Sequence, residues 1–457
     1  MTMRGTALIA LLLLVAMPNA AAPQGGPSVA AARLDGPELT PVGAERAGNA
    51  QGTIPAWTGG ISEPPAGYVR GKHHPDPFVA DELLFRITAD NLDEHAEHLS
   101  EGQKGLLRAY PETYRLDVYP TRRSAAYPAR VYQAIARNAS EAVLVTEGKG
   151  SVRNASVSSP FPIPESGLEV LWNHLLRFRG QRVSRILGTA AVTRGGDYRI
   201  ALELQDLAFP YAFPDGSPFK ERFRNTLLAF KGKSLAPALL VGEGRLILEP
   251  IDRTHSPRKA WVYSRALRRI VRLPYFGYDF PAPNSDGLRT VDDFDLFSGA
   301  PDRFEWELLG KREVYIPYNA YRLQSSHLSA EDVLARKHVN PDVARYELHR
   351  VWVVEGRLRP DANHIYSRRV FYIDEDSWQI ALADSYDRQG RLWRLGEAHA
   401  LNYYEVPVLW ETLTAYYDLR ERRYLAAGVD TSRRVYQFSD DANTREFTPN
   451  ALNYYVR

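Results

Sequence analysis

The sequence predicts an α+β fold built on one large, strongly curved antiparallel sheet, an incomplete barrel with helices covering its concave face. Three observations predict it. Period-two runs follow one another with short connections and no alternating helices, which is the pattern of antiparallel pairing. Two capping boxes, Ser100-Glu101-Gly102-Gln103 and Ser166-Gly167-Leu168-Glu169, each open an apolar stripe at helical spacing. The stretch 366–399 is punctuated as three consecutive strands. Its first run, 366–373, stops at Asp374-Glu375-Asp376, whose side chains can hydrogen-bond their own turn. The second, 378–386, places Trp378, Ile380, Leu382 and Tyr386 on one face, interrupted by Asp384, with Gln379, Ala381, Ala383 and Ser385 opposite. Gly390 can adopt the left-handed conformation that closes the next turn, and a third run, 391–399, puts Trp393 and Leu395 on one side. Such an apolar face needs cover.

The elements follow in order. Arg4, an apolar run over 7–16, and then Pro18 with an alanine cluster have the pattern of a signal peptide over 1–22, with a second cleavage candidate as late as 32. The apolar run is too short to span a bilayer as a permanent helix. The remainder, 33–457, reads as a single domain with an extended N-terminal segment, 33–80, rich in Gly and Pro and pinned by Trp57. Helical signals begin near Thr88, and Pro111 ends the helix opened by Ser100. Residues 119–127 form a loop between helical pieces. Leu168, Leu171, Trp172, Leu175 and Leu176 form the stripe of the second capped helix, ended by Gly180. The period then changes to two: 183–193 and 198–204 flank Arg194-Gly195-Gly196-Asp197 as a hairpin. The Phe-rich stretch 209–230 is ambiguous. Further strands are expected at 239–248, 259–263, 269–273, 306–316 and 346–358, then, after the meander, at 408–418 and 423–429. Residues 290–298 read as helical or turn-like, and Ser329 caps a short helix ending near His338.

Composition narrows the function. The 57 basic and 55 acidic side chains leave a net charge of +2, so no global field draws the chain to nucleic acid or an anionic membrane. There is no cysteine, hence no disulfide, no thiolate nucleophile and no acylation site for a lipoprotein. With the leader, this points to the bacterial periplasm. No P-loop, dinucleotide, nucleophile-elbow or zinc-protease motif is present, so no cofactor, metal or catalytic residue is assigned. His95 and His98 lie one turn apart on a polar helix face, and His73-His74 reads as an exposed loop. Asp292-Asp293-Phe294-Asp295 lacks the glycine and distal glutamate of a calcium loop, so helix capping is the better reading. What stands out is aromatic content on an over-wide curved sheet, which leaves a cavity when its own side chains do not fill it. The candidate lining is Trp172, Leu175, Leu176, Trp261, Tyr263, Trp352, Phe371, Trp378, Ile380, Leu382 and Trp393.

Two stretches, RKAWVYSRALRRIVR at 258–272 and FYIDEDSWQIALADSYDRQGRLWR at 371–394, resemble the strand-turn pattern of the LolA/LolB lipoprotein carriers. More broadly, the chain after Arg33 resembles a proteobacterial family of unknown function known as outer-membrane lipoprotein-sorting proteins. The matching stretches include LTPVGAERAGNAQGTIPAWTGG, YPTRRSAAYP, FPIPESGLEVLWNHLLRFRG, EPIDRTHSPRKAWVY, SDGLRTVDDFDLFSGAPDR and YELHRVWVVE. The resemblance implies a LolA/LolB-like half-barrel with helices plugging a hydrophobic cavity. It also implies a non-catalytic periplasmic carrier of a lipid, lipoprotein acyl chain or other hydrophobic cargo, working with an RND-type inner-membrane permease and an outer-membrane partner. The chain is about twice the size of those carriers, and having no cysteine it fits a soluble role better than that of LolB. The alternatives are an envelope enzyme acting on lipids or esters through groups such as Asp384 and His399, and a cargo-free scaffold of a transport complex.

Overall fold

A computed structural model describes residues 29–145, 150–252, 256–274, 277–429 and 435–456; the expected signal segment 1–22 lies outside the described residues. Thirteen strands form the body of a 16-stranded sheet. They are β1 Arg182–Val192, β2 Tyr198–Ala208, β3 Leu228–Ala236, β4 Gly244–Glu249, β5 Lys259–Ser264, β6 Arg269–Leu273 and β7 Phe304–Pro317. Then come β8 Tyr346–Leu358, β9 Arg368–Asp374, β10 Ile380–Tyr386, β11 Leu392–Asn402, β12 Leu409–Asp418 and β13 Arg423–Val429. Four helices pack on them: α1 Glu101–Ala109, α2 Ala129–Glu141, α3 Gly167–Leu176 and α4 Pro449–Tyr455. No described helix is long and apolar enough to cross a membrane.

The spatial order of the strands is that of the chain with one break. β7 to β13 run in sequence, β13 pairs with β1, and β1 to β6 continue the series, all antiparallel. The free edges are therefore β6 and β7, which are consecutive in the chain, and among the described residues no hydrogen bonds join them. The sheet is an incomplete barrel, as expected for an α+β fold of this type. The connection between its two edges closes it covalently.

Most elements follow their local signals. Both capping boxes form, with Ser100 and Ser166 accepting from the backbone three residues on. The expected strand at 239–248 starts only at Gly244, because residues 237–243 fold into successive turns. The ambiguous Phe-rich stretch supplies a short helix, Pro218–Arg222, and the start of β3. Helix α2 has no side-chain cap at Pro128, which is why no start signal marked it. In the extended N-terminal segment Val42, Ala44 and Ile54 are buried, while Trp57 is only half-buried. The firmer ties there are Arg123 Nη2 to the Glu45 carbonyl at 2.8 Å and Arg350 Nη2 to the Ala47 carbonyl at 2.6 Å.

Both faces of the sheet are covered, and the two capped helices take opposite sides. α2 and α3 pack Val131, Ile135, Leu171 and Trp172 against Val354, Phe371, Ile373 and Trp410 on what is here the inner face. α1 packs Leu106 and Leu107 on the outer face against Val370, Tyr372, Leu382 and Leu395. α4 covers the outer face at the other end, over Ala229 and Leu246. The meander departs from simple alternation. Tyr372 pairs with Leu382 but Ile373 pairs with Ile380, so Ala381 is a β-bulge. One extra residue reverses parity. Ile380 therefore faces inward and Leu382 outward, correcting the expectation that they share a face. Trp378 belongs to the turn, at φ 59, and not to the strand.

The connection at 274–303 is held by its aspartates. The Thr290–Asp293 capping box forms, as expected. Beyond it, Asp292 and Asp293 bind Arg369 of β9 at 2.9 and 2.6 Å, and Asp295 binds Arg177 at 2.7 Å and Arg179 at 2.6 Å. Asp295 and Leu296 adopt left-handed φ values of 56 and 58, so this anchoring also holds backbone strain. Burial alone would push the Asp295 carboxyl up, but the two guanidinium groups hold it well below the usual range. Replacing Asp295 by Ala leaves both arginines buried without their carboxylate, and a loss of about 3–5 kcal/mol in urea unfolding is expected. An unchanged midpoint would show that this pair does not fix the connection.

The outer face buries acids of the opposite kind. Asp384 anchors α1: its Oδ1 accepts from Ser100 Oγ and Gly102 N–H, both at 3.0 Å. Gly102 is required there, since a Cβ would stand 2.3 Å from that oxygen. Burial pushes Asp384 up to about 6 and Glu397, bonded by Tyr114 and Tyr346, up to about 7. A carboxyl whose folded pKa lies above its unfolded value stabilises the fold below the unfolded value and loses that contribution as pH rises through the folded one. Between pH about 4.5 and 8 the contribution of Glu397 is therefore lost, against the opposite contribution of the buried His174 and His399, and Glu397→Gln should change the stability difference across this range by up to roughly 3 kcal/mol relative to the parent protein. Parallel urea midpoints at the two ends of this range for both proteins would refute this.

Candidate functional site

Six of the candidate cavity residues meet on the inner face. Trp172, Leu175 and Leu176 of α3 pack with Phe371, Trp378 and Ile380, each at most 2 % exposed. Trp352 joins them, its ring stacked on Trp378 with centroids 6.2 Å apart. They form a packed core and do not wall an open space. The other four lie elsewhere. Leu382 is in the outer core under α1. Trp261 and Tyr263 pack against the cluster under α4. Trp393 donates to Asp418 at 2.8 Å and lies under Arg394 near the sheet margin. None of the eleven lines the open cleft between β1–β4 and the clamped connection.

The open space on the inner face is at the other half of the sheet. There the strands reach past the helices, and the wall is Leu187 and Thr189 of β1, Ala201, Glu203 and Gln205 of β2, Leu228 and Phe230 of β3, and Arg245, Ile247 and Glu249 of β4. Each strand contributes alternate residues, as a pleated wall must. The opposite wall comes from the clamped connection, with Ala282, Pro283, Asn284, Arg289, Val291, Phe294 and Ser298. A cleft of about 100 Å³, continuous with solvent, lies between them. A larger opening of about 710 Å³ beside β7 is lined mainly by polar groups, including Asp279, Asp302, Arg303, Arg359 and Asp361. The first has the apolar floor that a hydrophobic ligand needs.

Its charges are ordered. Arg245 pairs with Glu203, which also accepts from Gln205 at 2.7 Å. Arg258 pairs with Glu249, which accepts the Tyr278 hydroxyl at 2.7 Å. Arg289, half-buried, makes no ion pair among the described residues, and its buried Nε has no hydrogen-bond partner. The sequence marks most of these strands but not the cleft, because its apolar positions, Leu187, Leu228, Phe230 and Ile247, converge only when β1 to β4 lie in register, with the charges of Glu203, Arg245 and Glu249 between them.

The titratable residues singled out elsewhere are structural. His74 is buried between Gln324 and Glu405, each at 2.7 Å, which corrects the exposed-loop reading: the loop folds back onto the protein. His95 stacks on Phe85 at 5.0 Å. His174 accepts from Ile380 N–H at Nδ1, which leaves its Nε2–H to donate to the Phe297 carbonyl, and burial pushes it down to about 3. His349, Asp374 and Asp376 each bring a ligand atom within 4.8 Å of one another. Arg123 grips Asp376 at 2.8 and 2.6 Å, however, so a cation already occupies that carboxylate. Asp384 serves as a helix anchor, and His399, also fully buried, is pushed down to about 3 by burial alone.

The sequence profile of the family described as "Protein of unknown function (DUF1329)" matches residues 86–453. The uncharacterized protein PA3922 of Pseudomonas aeruginosa is 44 % identical over 424 residues, 92 % of either chain. A domain of an outer membrane lipoprotein-sorting protein from Vibrio parahaemolyticus superposes with TM-score 0.43 at 15 % identity, covering 63 % of this chain and 98 % of its own. A DUF1329 protein from Desulfovibrio piger gives 0.41 at 14 %, covering 60 % and 92 %. The LolA superfamily protein NE2245 from Nitrosomonas europaea gives 0.37 at 12 %, covering 62 % and 98 %. On the extent of the profile match and the identity to the Pseudomonas protein, the chain belongs to the DUF1329 family.

Proposed function

We propose that this protein is a periplasmic, non-catalytic carrier that holds a lipid, a lipoprotein acyl chain or another hydrophobic molecule in the inner-face cleft. The observation that carries this reading is the cleft itself: an apolar floor of Leu187, Leu228, Phe230 and Ile247 under the clamped wall of Val291 and Phe294, open to solvent, whereas the face under α2 and α3 is packed. Each methylene buried there contributes about 0.8 kcal/mol, so an alkyl chain binds without specific chemistry. Support for a non-catalytic role is that Asp384 and His399, the groups an enzyme reading would use, lie in the packed outer layer and not at the cleft. An RND-type permease and an outer-membrane acceptor are the proposed partners.

Native mass spectrometry of protein released gently from periplasm should find a bound hydrophobic adduct. Ala201→Trp, which fills the cleft from β2, should remove the adduct while thermal unfolding changes by no more than a few degrees. Protein that is always free of ligand and takes up no fluorescent fatty acid would contradict the carrier reading. Retained adduct in the filled variant would move the site elsewhere.

A further inference from the structure

We propose that the cargo carries a single anionic group, a carboxylate or a phosphate, and that Arg289 is the residue that recognises it. The inference rests on the carrier reading and narrows its cargo to anionic amphiphiles. Five charged side chains line the cleft, three arginines and two glutamates, a balance of +1. Four of them are paired with one another, Arg245 with Glu203 and Arg258 with Glu249. The surplus charge therefore sits on Arg289 alone.

A guanidinium that is partly removed from water and left without an acceptor is costly. Arg289 is in that position: its Nε is buried and unpartnered, and its guanidinium carbon lies 5.8 Å from the centre of the Tyr416 ring. Its planar fork matches a carboxylate or phosphate in two parallel hydrogen bonds, which a fatty alcohol or a neutral glyceride does not offer. The residue is also held in place. Its carbonyl accepts from Ala282 N–H at 3.0 Å and Ser285 Oγ at 3.3 Å, on the connection that the aspartates fix. Val291 and Phe294, on the same wall, continue the apolar surface away from it. The clamped wall thus offers an anion site at Arg289 beside an apolar surface for a tail.

The test is calorimetric titration of the delipidated mature chain with dodecanoate, dodecyl phosphate, dodecanol and dodecyltrimethylammonium, each below its micelle concentration. Dodecanoate or dodecyl phosphate should bind about tenfold tighter than dodecanol, a difference of about 1.4 kcal/mol. The stronger of the two acids identifies the head group. Arg289→Gln should abolish that preference while dodecanol affinity and the melting midpoint stay as in the parent, and Arg289→Lys should restore part of it. Equal binding of acid and alcohol by the parent, or a preference that survives Arg289→Gln, overturns this inference and leaves the carrier reading standing. Absence of binding by all four overturns both.

Discussion

The pairing of three aspartates on one connection with three buried arginines is the constraint on which the rest of this structure depends. An antiparallel sheet with two free edges has a row of unpaired backbone groups at each, and here the edges are not joined by hydrogen bonds. The chain passes from one edge to the other, and Asp292, Asp293 and Asp295 bind it to Arg369, Arg177 and Arg179. Buried ion pairs contribute little net stability when intact but are expensive to break, so they suit fixing a position. The result is a connection with two functions. Leu296 and Phe297 complete the packed core, while Val291 and Phe294 form a wall of the cleft.

Much of the fold was legible because its signals are local. Ser100 and Ser166 announce their helices, and Gly390 the turn between β10 and β11, at φ 72. The Ala381 bulge was not legible, since an extra residue in one strand is defined only by its partner, and it moved Leu382 to the opposite face. The side on which α1 docks was hidden for a similar reason. It is decided by Asp384 reaching the N-terminus of that helix from β10, a contact between distant residues.

For the candidate site, periodicity identified the large apolar residues and the packing used them. Trp172, Phe371 and Trp378 fill space, as the largest side chains in a close-packed interior generally do. An open cleft has a different signature: smaller apolar residues such as Ala201 interleaved with charges that neutralise one another, Glu203 with Arg245 and Glu249 with Arg258. Cancellation of that kind is visible only when four strands are set in register. A single strand such as β4, with Arg245, Ile247 and Glu249 on one side, reads as a surface.

The pairing of β13 with β1 has a kinetic consequence. Tyr424 lies opposite Val192, so the middle of the sheet is made from the two ends of the strand series, and the ladder there joins residues far apart in the chain. Contacts of such long range form late, because the loop they close must first be confined. As the chain is synthesised amino end first, β1 remains an open β-edge until the last tenth of the polypeptide arrives, and an open edge pairs with any strand it meets. Shielding that edge, more than forming any hairpin quickly, is the difficulty this topology sets for productive folding.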